Sequence, residues 1–283
     1  MLRMLSLTDA RRCFRRIPRG SSFVVLAFVR ALVGAGVGAV VCSFIAQEVR
    51  APRLLEPFDE SELLAACRTC HRRLRPTRIG LFVNRSVLRG TCPSCKHPVP
   101  AWAAWSELAT VAMGFLVGWR VEKPLWLPAY LLLGFITVAV VLVDARLHLI
   151  STKLVYPAAG AALCVFAVIA LIEGQLDRFQ WMLIGGLGAF AFIWILHLIS
   201  PQGMGQGDAR LSLFLGMFLG WLGWRQLVIG MFAGFALGSL GGLVLMALRK
   251  AGLKTAIAFG PYLAVGTLLV SLWPSLANGF VPR

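Results

Sequence analysis

Carboxylates are scarce in this chain. It has 12 Asp and Glu against 28 Lys and Arg in 283 residues, and charged residues reach only 14% while hydrophobic ones make up 58%. With a mean hydropathy of +0.78, this composition excludes a single water-soluble core under a charged surface and points to a polytopic membrane protein. No internal repeat is evident. In such a chain each remaining carboxylate carries information, because an ionisable group in or beside hydrocarbon is costly unless it is used or paired.

Apolar windows long enough to cross a hydrocarbon layer of ~30 Å run near 22–46, 101–119, 125–143, 154–172, 180–198, 209–224, 226–247 and 256–273. The expected fold is therefore all-α, with about eight transmembrane helices. The organisation is a basic tail (1–20), a first span (21–46), a hydrophilic module (47–100) and a seven-helix membrane block (101–283). The sixth and seventh windows are separated only by Leu222-Gly223-Trp224-Arg225. Glycines cluster in the spans, as at Gly34, Gly36 and Gly38 or Gly234, Gly238, Gly241 and Gly242, where small residues let helix backbones approach closely.

The formal net charge of +16 resembles a nucleic-acid signal, but 17 of the 28 basic residues precede position 106 and flank the first span. Topology explains them better, so no nucleic-acid partner is expected. Ten basic residues fall within 47–100, which places that module in the cytoplasm and, by alternation, the loops holding Arg146 and Lys153, Asp208 and Arg210, and Arg249, Lys250 and Lys254 on the same side. The tail, with Arg3, Arg11, Arg12, Arg15, Arg16 and Arg19, pulls the first span the other way. The larger loop is taken to win. Arg11-Arg12 before an apolar run also fits a twin-arginine signal, but the run exceeds the ~7–15 residues of a signal core, so an uncleaved span is expected.

Cys67-Arg68-Thr69-Cys70 and Cys92-Pro93-Ser94-Cys95 are two C-x-x-C knuckles separated by 21 residues. That spacing suits tetrahedral Zn²⁺ held by four thiolates, giving a small zinc-ribbon-like insertion whose fold the metal stabilises. Two disulfides or a redox pair are the competing readings, and disulfides require an oxidising compartment at odds with the basic charge of the loop. His71 and His97 adjoin the knuckles but are not needed to complete the site. Within the same module, Phe58-Asp59-Glu60-Ser61-Glu62-Leu63-Leu64 reads as a helix start capped by Asp59. Cys13, Cys42 and Cys164 have no partner at metal spacing.

After that module only Glu107, Asp144 and Asp208 stand at inner-face boundaries of the spans. Asp144 ends Val141-Leu142-Val143-Asp144, and Asp208 ends Gly203-Met204-Gly205-Gln206-Gly207-Asp208. Two carboxylates can hydrolyse a peptide bond when the ionised one takes a proton from water and the protonated one donates to the scissile amide, and a close pair titrates as a unit. Gly205 and Gly207 permit the backbone approach that a peptide substrate needs. A structural reading stands beside this one: Asp208 as N-cap of a helix beginning near Ala209-Arg210-Leu211, and Asp144 as partner of Arg146, Lys153 or Arg210. Glu107 is a secondary candidate, and His148 and His197 are minor ones for proton transfer.

The two knuckles, Leu88-Arg89-Gly90, Glu107, Asp144, the segment Gly203–Leu211 and Phe259-Gly260-Pro261-Tyr262-Leu263-Ala264 occur in an order that resembles the prepilin peptidase (type IV leader peptidase) family of G-x-G-D intramembrane aspartic proteases. The resemblance covers about 42–266. It implies an eight-span enzyme of the bacterial inner membrane whose dyad, Asp144 and Asp208, removes the basic leader of type IV prepilins and pseudopilins at the cytoplasmic face. It also implies transfer of a methyl group from S-adenosylmethionine to the new N-terminus, although no independent methyl-donor motif is visible. Where the family usually shows Gly-Ser-Phe-Leu-Asn, Tyr-Pro and Leu-Pro-Asp, this chain has Cys42-Ser43-Phe44-Ile45-Ala46, Ala103-Ala104 and Ile150-Ser151-Thr152. A peptidase without methyl transfer, and a non-catalytic scaffold or transporter with a zinc ribbon, are the alternatives.

Overall fold

The computed structural model describes residues 21–50, 102–147, 152–200, 204–247 and 259–274. The four-cysteine module, the basic tail and His148 lie outside them. Among the described residues the chain is helical with no strand: α1 (Ser21–Arg50), α2 (Trp102–Arg120), a 3-10 turn (Pro124–Trp126), α3 (Leu127–Leu147), α4 (Thr152–Glu173), α5 (Leu176–Ile199), α6 (Gln206–Leu222), α7 (Trp224–Ala247) and α8 (Gly260–Leu272). Each apolar window corresponds to one helix. Four stretches, Pro124–Asp144, Leu154–Glu173, Leu176–Ile199 and Trp224–Val244, are long and apolar enough to cross a membrane, and Val24–Gly38, Leu108–Arg120 and Gly260–Leu272 are shorter apolar helices. The protein is an integral membrane protein.

Two turns are tighter than the sequence predicts. The apolar windows 154–172 and 180–198 leave a gap of several residues, but only Gly174 and Gln175 interrupt the helices there, and Gly174 takes the positive φ (65°) that lets the chain reverse so abruptly. Likewise only Gly223 parts α6 from α7.

Close backbone contacts fix the helix directions. A Cβ on Gly34 or Gly114 would collide with the other residue's carbonyl, Gly38 faces Thr110, and Gly118 faces Arg30, so α1 and α2 run antiparallel and nearly touching. At the far end of the bundle, Arg120 closes α2 onto the last carbonyl of α8, its Nη2 donating to Leu272 O at 3.0 Å while its guanidinium lies 4.5 Å from the Trp273 ring centroid. Lys123 Nζ and Trp126 Nε1 both donate to Glu173, each at 3.1 Å from Oε1, which ties the start of α3 to the end of α4.

The centre of the bundle is α6. Of its 17 residues, 12 are buried, from Asp208 to Trp221. Phe166 of α4 packs its ring 4.7 Å from Trp221 and 5.0 Å from Phe218, and Phe214 stands 5.1 Å from Phe218. Ser212 Oγ donates to Ala209 O at 2.6 Å and approaches Ala189 O at 3.2 Å, anchoring α6 to α5. By contrast α5 and α7 expose Leu183, Ile184, Leu187, Phe232 and Leu240, the apolar outer surface that a bilayer requires. Asp208 thus lies in the first turn of a helix enclosed by protein.

Candidate active site

The helix starts before Asp208 rather than after it. Gly205 is the N-cap of α6, with extended backbone (φ −76°, ψ 148°), and Asp208 is the third residue of the helix. The two are joined reciprocally: Gly205 N–H donates to Asp208 Oδ2 at 3.1 Å, and Asp208 N–H donates to Gly205 O at 3.1 Å. This corrects the reading of Asp208 as N-cap. Its carboxylate reaches back to the cap residue's amide as the Glu of a capping box does.

A second helix converges on the same group. The backbone of Gly260, first residue of α8, comes close to the Asp208 carboxylate. Helix N-termini present unsatisfied N–H groups and the positive end of the macrodipole, so α6 and α8 together stabilise negative charge at this point. Sequence reasoning noted Phe259-Gly260-Pro261 only as a signature segment and gave Gly260 no place in the site.

Asp144 belongs to the last turn of α3. It is buried (3% exposed), as is Asp208 (7%), and its charge acts directly on Asp208. The two aspartates singled out from sequence are therefore brought together, from helices that run in opposite directions. Asp144 thus comes from the last turn of one helix and Asp208 from the first turn of another, where the Gly205 amide donates to it.

The remaining candidates are distributed around it. Gly205 is exposed beside the Asp208 carboxylate, and a Cβ built there would lie 3.4 Å from Oδ2. Gly207 is half-buried in the first turn of α6. Glu107 lies in the second turn of α2, which begins at the same end of the bundle. His197, in the last turn of α5, uses Nδ1 to contact Met204 O at 2.6 Å. Cys67, Cys70, Cys92 and Cys95 fall outside the described residues. Among the described residues, no three His, Cys, Asp or Glu side chains form a metal-holding group.

Residues 129–247, which carry both aspartates, match the model of the type IV leader peptidase family. A prepilin leader peptidase/N-methyltransferase of Pseudomonas aeruginosa is 31% identical over 212 residues, covering 74% of this chain and 71% of that protein. The chain belongs to the type IV leader peptidase family. Other members with the same name are similar too: that of Pseudomonas putida is 28% identical over 77% of this chain and 75% of its own, and that of Bacillus subtilis 24% identical over 74% and 81%. No solved structure matches the chain.

Proposed function

We propose that this protein is an intramembrane aspartic endopeptidase that cleaves the basic leader of type IV prepilins or pseudopilins at the cytoplasmic face of the bacterial inner membrane. The observation that carries the proposal is the meeting of two buried carboxylates, Asp144 and Asp208, at one end of an apolar bundle. The Gly205 amide donates to Asp208, and the proposal therefore gives Asp208 the role of the ionised partner. In the proposed step, Asp208 takes a proton from water as its oxygen attacks the scissile carbonyl, and Asp144 gives its proton to the departing amine nitrogen. The leader and the shortened pilin then leave with one water added across the peptide bond.

The cytoplasmic assignment rests on the ten basic residues within 47–100 and on the positions of Arg50 and Trp102. These residues end α1 and begin α2 at the end of the bundle that carries the aspartates. By spacing, Cys67, Cys70, Cys92 and Cys95 would hold a structural Zn²⁺ there. The eight helices would all span the membrane. The names of the relatives extend the reading to N-methylation; the proposal places it on the new N-terminus with S-adenosylmethionine as donor, and mass measurement of the processed N-terminus tests that part alone.

A further inference from the structure

We infer that His197 is a positioning residue for Asp208, acting through the single peptide group between Met204 and Gly205. The inference rests on the peptidase reading for its consequence and on geometry for its substance. A carbonyl oxygen can only accept, so the 2.6 Å contact of His197 Nδ1 with Met204 O requires a proton on Nδ1. The amide nitrogen of that same peptide group is Gly205 N, whose hydrogen goes to Asp208 Oδ2 at 3.1 Å. The donors thus run in one line, from imidazole to carbonyl and from amide to carboxylate, across one planar unit.

Such chains strengthen each member, because a hydrogen bond to a peptide carbonyl polarises the amide and makes its N–H a better donor. The ring is held for this task. Phe190, Trp194 and His197 follow one another at helical spacing on α5, with centroids 5.7 Å apart in both steps. Met204 itself is buried, so the peptide plane is clamped by its side chain, by the imidazole and by the aspartate. Without His197 the plane can rotate, and the Gly205 N–H then points away from Asp208.

The test uses three variants of the full-length protein in detergent with a prepilin substrate. His197→Leu removes the donor, His197→Asn places an amide nitrogen where Nδ1 stood, and His197→Gln places it where Nε2 stood. The expected result is a kcat lower by about tenfold in His197→Leu, with KM and thermal midpoint held, and recovery in Asn but not in Gln. Wild-type kcat in His197→Leu, or no recovery in Asn, overturns the inference.

A second readout is independent of cleavage. Met is followed by Gly at only two places, 113–114 and 204–205, so protein labelled with carbonyl-¹³C methionine and ¹⁵N glycine gives two Met–Gly cross-peaks, and Met204→Leu assigns one by deleting it. The Met204–Gly205 peak is expected to move in His197→Leu and to return in His197→Asn while the other stays in place. A peak that stays put in His197→Leu overturns the inference. If the peaks behave as expected but wild type cleaves no prepilin, the peptidase reading fails and the hydrogen-bonded relay stands.

Discussion

Gly260 at the start of α8 lies beside Asp208 in the first turn of α6, so the beginnings of the two helices converge. The consequence is functional as well as architectural. One carboxylate of the pair lies in the first turn of its helix and accepts from the Gly205 amide, and the other lies in the last turn of its own.

The φ of Gly205, −76°, is one that proline and alanine both adopt, and the proline ring would put a carbon where the amide hydrogen meets Asp208. Gly205→Ala keeps the donor and adds a methyl 3.4 Å from Oδ2, whereas Gly205→Pro removes the donor. The proline variant is expected to fall below the alanine variant in kcat/KM by about 10- to 100-fold, the worth of a hydrogen bond to a charged group. Steady-state cleavage of a prepilin peptide by both variants, at matched thermal midpoints, checks this.

Core packing sets the platform beneath the site. Phe166 is fully buried between Trp221 and Phe218, and Phe166→Ala is expected to destabilise the bundle by about 3–5 kcal/mol. Thermal unfolding in detergent should register it as a lower midpoint, while an unchanged midpoint would show that α4 does not brace α6.

The metal prediction concerns the cysteine module. Purified protein should contain one Zn²⁺ per chain by elemental analysis, and Cys67→Ser or Cys92→Ser should lose it. Zinc retained in both variants, or disulfides found by mass spectrometry in the wild type, would replace the ribbon with another arrangement.

Much of the bundle was legible because hydrophobic length is a local property: every apolar window corresponds to a helix, and Asp144 and Asp208 stood out against a chain poor in carboxylates. What composition could not give was the tightness of the turns at Gly174 and Gly223, where a single glycine conformation replaces a loop. Nor could it show that α6 begins at Gln206, since polar residues ahead of Asp208 hid the first turn. The meeting of Gly260 with Asp208, and of His197 with Met204, depends on how distant segments pack. Glycine amides and a lone histidine carry no pattern that announces such contacts.

The most direct test of the central claim is cleavage of basic-leader prepilin peptides by purified wild type, Asp144→Asn and Asp208→Asn, with product masses read at the new N-terminus. Asparagine keeps the shape of each side chain and removes its acid or base function, so both folded variants should lose about 10²- to 10⁴-fold in rate. Either folded variant cleaving at the wild-type rate would contradict the dyad.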